Sequence, residues 1–250
     1  MAVGVFAFRK KDLVSKKIQD QRSPETQTAK MVIAIDGPAA SGKGTLARRI
    51  AERFNFEYLD TGSLYRAVAL CMVMANGNPD SEIDVKAALN TLGRNMTSEL
   101  LESPELRSEL VSRMSSKVAA LPMVREYLLD FQREFAKNPP AHRNGVVLDG
   151  RDIGSVVCPN AEVKLFITAT AEIRAERRFN ELQSKGVQIS FDEVLEDIKV
   201  RDQRDRDRSA SPMIVSDDAF MVDTSDMDIT QTFDHSLNLI RAKLMSDTSE

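Results

Sequence analysis

The sequence predicts an α/β fold, a five-stranded parallel sheet flanked by helices. Three observations predict it. Short continuous apolar runs of strand length alternate with stretches of helical periodicity. The first run, Met31–Ile35, ends in a glycine-rich loop that opens a helix. Another, Val146–Leu148, ends in the acidic turn Asp149-Gly150, and such turns cluster at the carboxyl edge of open parallel sheets. Composition agrees with a globular chain. Of 250 residues, 42% are hydrophobic and 29% charged, close to the soluble average, which excludes collagen-like, disordered and disulfide-scaffold classes.

Residues 1–30 stand apart. They hold seven Lys/Arg against three Asp/Glu in a chain whose net charge is −4. The apolar stretch Val3–Phe8 precedes the charges, the reverse of a secretory signal. Asp12, Asp20 and Glu25 count against a transit peptide. The expectation is a mobile N-terminal extension, with the folded part at 31–250. A chain starting at Met31 is predicted to fold, to keep its kinetics within about twofold and to melt within about 2 °C of full length. Parallel purification, melting and kinetics check this; a large loss of stability would mean that the extension docks on the core.

The elements follow in order. Met31–Ile35 is β-branched and apolar, a buried strand. Thr45–Phe54 carries Leu46, Ile50 and Phe54 at helical spacing. Glu57–Leu59 reads as a second strand and Leu64–Met74 as a helix. Ser81–Leu129 is mostly helical, broken near Asn95–Thr97 and at Pro104 and Pro122. Val146–Leu148 and Val163–Ile167 are buried strands, and Ala171–Gln183 is an Arg-rich helix. Ser190–Arg208 is a long helix opened by the capping box Ser190-Phe191-Asp192-Glu193. Phe220–Val222 is a fifth strand, and Ile229, Phe233, Leu237 and Ile240 mark a closing helix. The longest apolar run, Ala67–Ala75, is half a membrane span and reads as buried helix.

The strongest chemical signal is Gly37-Pro38-Ala39-Ala40-Ser41-Gly42-Lys43-Gly44-Thr45, between a strand and a helix. This is the context of a phosphate-binding loop. Glycines let the backbone wrap around phosphate oxygens, and main-chain N–H groups at the helix start bind the anion. Lys43 would reach the β- and γ-phosphates, and Thr45 would sit near Mg²⁺. Gly44 intervenes where the general motif has Ser or Thr directly after Lys. The loop by itself says nucleoside triphosphate, not which reaction.

Further constellations are less specific. Asp60-Thr61-Gly62-Ser63-Leu64-Tyr65-Arg66 places a hydroxyl, a ring and a guanidinium after the second strand. Arg66 suits a phosphate and Tyr65 a sugar or base, or the segment is a simple turn. Asp149 resembles a Walker-B acid, able to hold Mg²⁺ directly or through water. Arg151 beside it makes sense as a phosphate clamp, or the pair is a salt-bridged turn. In the helix Ser190–Arg208, Asp205 projects near the centre of the apolar face of Phe191, Val194, Leu195 and Ile198, flanked by Arg201 and Arg208. Asp202, Arg204, Arg206 and Asp207 read equally as a salt-bridge ladder. Arg174, Arg177 and Arg178 crowd a helix next to the Gly-containing loop Ser184–Val187, a segment suited to closing over a nucleotide or a basic solvated face.

Several chemistries lack support. Cys71 and Cys158 have no metal-ligand spacing and read as buried thiols of a reducing cytoplasm. His142 and His235 sit in no triad frame. The acidic charge, and arginines alternating with acids without aromatics, argue against nucleic acid. No Asn-Lys-x-Asp guanine motif occurs, which argues against a GTPase switch.

Taken together, Gly-Pro-Ala-Ala-Ser-Gly-Lys-Gly-Thr, Asp-Thr-Gly-Ser-Leu-Tyr-Arg, Asp-Gly-Arg-Asp-Ile-Gly and Arg-Asp-Gln-Arg-Asp-Arg-Asp-Arg resemble the bacterial cytidylate kinases, from Met31 to about Met245. The resemblance implies a P-loop kinase with an NMP-binding insert and a short lid. It implies transfer from ATP, with Mg²⁺, to CMP or dCMP, in a cytoplasmic monomer that uses neither membrane nor nucleic acid. Positions 61–135 would be the NMP-binding region and 174–190 the lid. Ser116, Arg125 and Asp152 would read the cytosine, since a carboxylate accepts from the exocyclic amine that uracil lacks. Arg201 and Asp205 would hold the sugar, with Thr61 and Tyr65 lining the pocket. Arg66, Arg151 and Arg208 would clamp the acceptor phosphate. Lys43, Arg151 and the lid arginines Arg174, Arg177 and Arg178 would be catalytic, and Thr45 and Asp149 would face the metal. In one departure from the family, the stretch between Leu92 and Pro104 is shorter than its usual insert and lacks alternating strand residues, so the small extra sheet is expected to be reduced or missing. Related kinases of UMP/CMP, dephospho-CoA or shikimate type, and a non-catalytic nucleotide switch, are the competing readings.

Overall fold

The computed structural model describes residues 31–247. The predicted N-terminal extension lies outside them. The chain divides into two compact units, one containing Gly62–Leu128, the other Lys30–Thr61 with Leu129–Glu250.

The second unit holds the sheet. Its strands are β1 (Met31–Asp36), β2 (Glu57–Asp60), β3 (Gly145–Gly150), β4 (Val163–Thr168) and β5 (Phe220–Asp223). All neighbours are parallel, in the order β2-β3-β1-β4-β5. The predicted class and all five strands are therefore present, each extended by one to three residues beyond its apolar core. β1 is central because both faces must be covered. Ile33, Ala34 and Ile35 are fully buried, as are Val146, Val147 and Leu148 of β3. The chain leaves β1 toward β2 on one side, and β3 connects to β4 on the other. The strand order thus reverses beside β1, the position where open α/β sheets bind ligands.

Helix α1 (Lys43–Phe54) follows β1 and packs Leu46, Ala47, Ile50 and Ala51 on the sheet. Asn55 ends it in the left-handed conformation, φ 54°, its N–H returning to Ala51 and Glu52 carbonyls. The last helix of the chain, Ile229–Asp247, adds Ile240, Phe233 and Leu244 to the same core. A smaller apolar cluster joins the helices Ala171–Ser184 and Phe191–Asp207 through Ala175, Leu182, Val194 and Ile198. The predicted capping box at Ser190 and Glu193 is present. Phe191 was expected on the inward face. It is instead 36% exposed and meets Phe179 edge-on. As the first residue of its helix it lies ahead of the buried stripe.

The Gly62–Leu128 unit is built from helices, and no strand occurs among its described residues. It comprises α2 (Thr61–Met74), α3 (Glu82–Asn95), α4 (Ser98–Glu102), a 3₁₀ turn (Pro104–Arg107), α5 (Glu109–Val118) and the start of α6 (Pro122–Lys137). The segment between Leu92 and Pro104 is helix and turn. Each break after α2 starts with a hydroxyl cap or proline: Ser81, Thr97, Ser103 and Ser108 each accept a first-turn N–H, and Pro122 opens α6. The sequence located four of these five breaks. It missed the one at Ser108, where a Ser inside a polar run gives no apolar interruption. The two helices after β4 are α7 (Ala171–Ser184) and α8 (Phe191–Asp207), and the last is α9 (Ile229–Asp247). No helix among the described residues is long and apolar enough to cross a membrane.

Candidate active site

The glycine-rich loop runs from the end of β1 to the start of α1. Ala40 at φ 58° and Gly42 at φ 86° both lie in the left-handed region. For Ala40 this is strain that surrounding contacts must hold. Such departures from ordinary backbone turn successive N–H groups toward one anion. Gly42 caps α1 without a side-chain bond, and the first turn carries no acid. The positive end of α1 is thus left for an anionic ligand. The Ser41 hydroxyl, buried within the loop, has no hydrogen-bond partner among the described residues.

Gly44, the departure from the general motif, has a packing reason. A Cβ there would come within 3.1 Å of Asp149 Oδ2. The carboxylate at the end of β3 therefore approaches the loop where an ordinary side chain would crowd it. Tyr58 donates its hydroxyl to the same oxygen at 3.2 Å. Burial and the adjacent Asp149 and Asp60 push that phenol far above its ordinary pKa, so it stays a donor. The Asp149 carbonyl also accepts from Thr61 Oγ1 at 2.6 Å, at the start of the helix that follows β2.

Lys43 donates to the Pro38 carbonyl at 3.2 Å across the loop. Burial, then repulsion from Arg151, lower its ammonium to about 7, against the pull of Asp149 and Asp60. Its charge is held in a site arranged to accept more negative charge than the protein supplies.

Beyond the loop, four predicted residues form one ionic chain. Arg151 Nε donates to Asp205 Oδ2 at 3.0 Å. Arg208 reaches Asp205 Oδ1 at 3.7 Å and Asp152 Oδ1 at 3.4 Å. Burial raises the Asp205 pKa, but Arg151, Arg201 and Arg208 outweigh it and hold the carboxyl below its usual range. The structure so brings together Lys43, Thr61, Asp149, Arg151, Asp152, Arg201, Asp205 and Arg208 within one unit. In the other unit, Tyr65, Ser116 and Arg125 are all buried. The Arg125 guanidinium lies 5.3 Å from the Tyr65 ring centroid and donates to the Ala119 carbonyl at 3.1 Å. Arg66 is half-buried on α2.

The three arginines of α7 separate. Arg174 is 5% exposed and fully engaged: Nε donates to the Ala169 carbonyl, Nη1 to that of Ala39, and Nη2 to Asp202 Oδ2 at 2.7 Å. It holds the glycine-rich loop through the Ala39 carbonyl, a buried bracing contact that the reading of it as a lid arginine did not include. Arg177 bonds the Thr224 hydroxyl and carbonyl and touches the Ser41 carbonyl at 3.5 Å. Arg178 pairs with Glu181 on the same helix.

Sequence reasoning missed Asp202, Tyr58 and Asp36. Asp202, one of four residues that read equally as a salt-bridge ladder along the helix, is 4% exposed and pairs with Arg174 of another helix. Its spacing from Ile198 was the available signal, since i and i+4 share a face. Asp36 lies between the first apolar run and the glycine-rich loop; its buried carboxylate accepts from the N–H groups of Ile153 and Gly154 at 2.8 and 2.7 Å. Burial pushes its pKa up to about 6, against those two bonds. Removing one partner of a buried ion pair strands the other, so Asp202→Ala should cost about 3–5 kcal/mol in urea unfolding. A cost below about 1 kcal/mol would show that Arg174 finds other partners without loss.

Cys71 and Cys158 are half-buried free thiols. Burial raises both, Cys158 to about 11, so neither is an activated nucleophile.

Fold and site together define a P-loop protein built to hold nucleotide phosphates at the carboxyl edge of a parallel sheet. The sequence model for "Cytidylate kinase" matches residues 33–242, and the chain belongs to that family. Proteins named "Cytidylate kinase" are similar throughout. One from Paramagnetospirillum magneticum is 49% identical over 85% of this chain and 98% of its own length. Another from Methylobacterium sp. is 53% identical over 76% of this chain and 86% of its own. Among solved structures, a shikimate kinase from Bacteroides thetaiotaomicron aligns at 14% identity and TM-score 0.43, over 86% of this chain and 98% of that one.

Proposed function

We propose that this chain transfers the γ-phosphoryl group of ATP to CMP or dCMP, giving ADP and CDP or dCDP. The observation that carries the reading is the Arg151–Asp205–Arg208–Asp152 chain in the same unit as Lys43 and the glycine-rich loop. Two guanidiniums and two carboxylates suit an acceptor that carries a phosphate, a sugar and an amino-bearing base. Family membership supports the same roles. Arg151 and Arg208, with Arg66, bind the acceptor phosphate; Asp205 and Arg201 bind the sugar; Asp152, Ser116 and Arg125 read the cytosine; Thr61 and Tyr65 line the site.

The acceptor is itself a phosphate oxygen, mostly dianionic at neutral pH. It needs no strong general base. Catalysis is positioning plus neutralisation of charge on the transferring group. Lys43 and the backbone N–H groups of residues 37–45 hold the donor phosphates. Arg177 and Arg178 add positive charge from α7, in the segment 174–190 that we assign as the lid, while Arg174 keeps the loop in place. The donor oxygens available to a divalent ion suit Mg²⁺: Thr45 in the first turn of α1, and the Asp149 carboxylate near Gly44. No group of three or more candidate ligands occurs among the described residues. That too suits an ion completed by water and phosphate oxygens. When bound, Mg²⁺ neutralises charge on the donor phosphates. We assign the protein to the cytoplasm, as a monomer acting on free nucleotides.

A coupled ADP-release assay over CMP, dCMP, UMP and AMP tests the reading. CMP and dCMP should give the highest kcat/KM. ADP release that no nucleotide stimulates would overturn it.

The lowered pKa of Lys43 has a sign that calorimetry can read. The free site holds the ammonium near 7; bound phosphates favour its charged form and raise that value. At pH 8, ATP binding should therefore take up protons, approaching roughly one per nucleotide. Titrations in buffers of different ionisation enthalpy measure it, and affinity should fall as pH rises above 7. Proton release would contradict the placement of Lys43 against the phosphates.

A further inference from the structure

Asp152 stands at the start of an irregular turn, Ile153–Val157, with the wide hydrogen-bond spacing of a π-helix. Val157 N–H donates to the Asp152 carbonyl at 3.1 Å, and Cys158 N–H to that of Ile153 at 2.7 Å. An aspartate at this position ordinarily folds its carboxylate back onto the first free N–H groups of the turn. Asp152 makes no such bond. Its oxygen meets Arg208 at 3.4 Å.

The reason lies on another strand. The N–H group of Gly154, one of the two that Asp152 would otherwise cap, donates with that of Ile153 to the carboxylate of Asp36 at the end of β1. The opposite end of the turn is held by a cation. Arg133 of α6 donates to the Val156 carbonyl at 3.0 Å and to that of Val157 at 3.4 Å. An anion at the N–H end and a cation at the carbonyl end both match the dipole of the turn. Neither residue belongs to the motifs that the proposed function uses.

We propose that Asp36 and Arg133 are positioning residues for acceptor recognition: by satisfying both ends of the Ile153–Val157 turn from outside, they keep the Asp152 carboxylate from capping it and leave that group for the base. Asp36 does this from the residue that leads into the phosphate loop, so the site for the acceptor base and the loop for the donor are tied at one side chain. The inference rests on the reading of Asp152 as the group that recognises cytosine.

The test compares kcat/KM for CMP and UMP in the wild type, Asp36→Asn, Asp152→Asn and the double variant. An amide at 36 offers one acceptor where two N–H groups need it, and its own N–H faces a donor. Asp152 then turns back to cap, so the CMP/UMP ratio should fall about tenfold in Asp36→Asn while the KM for ATP stays within about twofold. Added to Asp152→Asn, the Asp36 change should lower the ratio no further, because it acts through the same carboxylate. If Asp152→Asn lowers the ratio and Asp36→Asn does not, the inference fails while the base reading stands. If Asp152→Asn leaves the ratio unchanged, the base reading fails and takes the inference with it. Should Asp36→Asn not fold, Arg133→Gln decides from the other end of the turn. It should lower the ratio about threefold with ATP kinetics unchanged, and an unaltered ratio, or equal losses for ATP and CMP, would overturn the proposal.

Discussion

Lys43→Ala is expected to lower kcat for CMP phosphorylation by about a hundredfold or more while the protein stays folded. Lys43 lies in the glycine-rich loop, bonded across it to Pro38 and facing both Asp149 and Arg151. A charge that the free site destabilises by burial is worth most once phosphate charge arrives beside it. Its loss in the folded state removes a lowered lysine, so stability should not fall. Sign follows from linkage: a lysine lowered to about 7 binds fewer protons folded than unfolded between pH 7 and 10.5, so its cost to the native state is full below pH 7 and is relieved as pH rises through that window. Single-turnover kinetics with melting curves check both halves. Near-normal turnover would remove Lys43 from the mechanism.

Asp152→Asn is expected to lower the CMP/UMP ratio of kcat/KM by about a hundredfold, within the range that a buried hydrogen bond can discriminate. A carboxylate only accepts, which suits the N4 amine of cytosine and repels the O4 of uracil. An amide donates to O4 as readily as it accepts. The change should act mainly by admitting UMP, and the loss for CMP should be smaller. Asp152 also meets Arg208, so the variant's melting temperature must be read beside its kinetics. A preserved ratio would show that the base is read elsewhere.

The strands and most helices were legible because their signals are local. β1 and β3 are unbroken apolar runs, and the capping box at Ser190 spells its own helix start. The motif residues were legible because phosphate binding needs glycines and a lysine at fixed spacing. What could not be read depends on contacts far apart in sequence. Asp36 caps a turn more than a hundred residues on. Asp202 shares its helix with five acids that face water, and what sets it apart is its pair with the distant, buried guanidinium of Arg174. The same contact gives Arg174, expected as a lid arginine, a buried place against the glycine-rich loop. The irregular turn at Ile153–Val157 had no sequence signal, since a short apolar stretch after an Asp fits strand, helix or loop.

The central claim is transfer of a phosphoryl group between two nucleotides bound by one chain. Incubation of the purified protein with γ-labelled ATP, Mg²⁺ and CMP, followed by separation of the products, tests it most directly. The account predicts label in CDP, at its β-phosphate, with unlabelled ADP formed in equal amount and little label in UDP when UMP replaces CMP. Label released as inorganic phosphate at the same rate with and without CMP would contradict it.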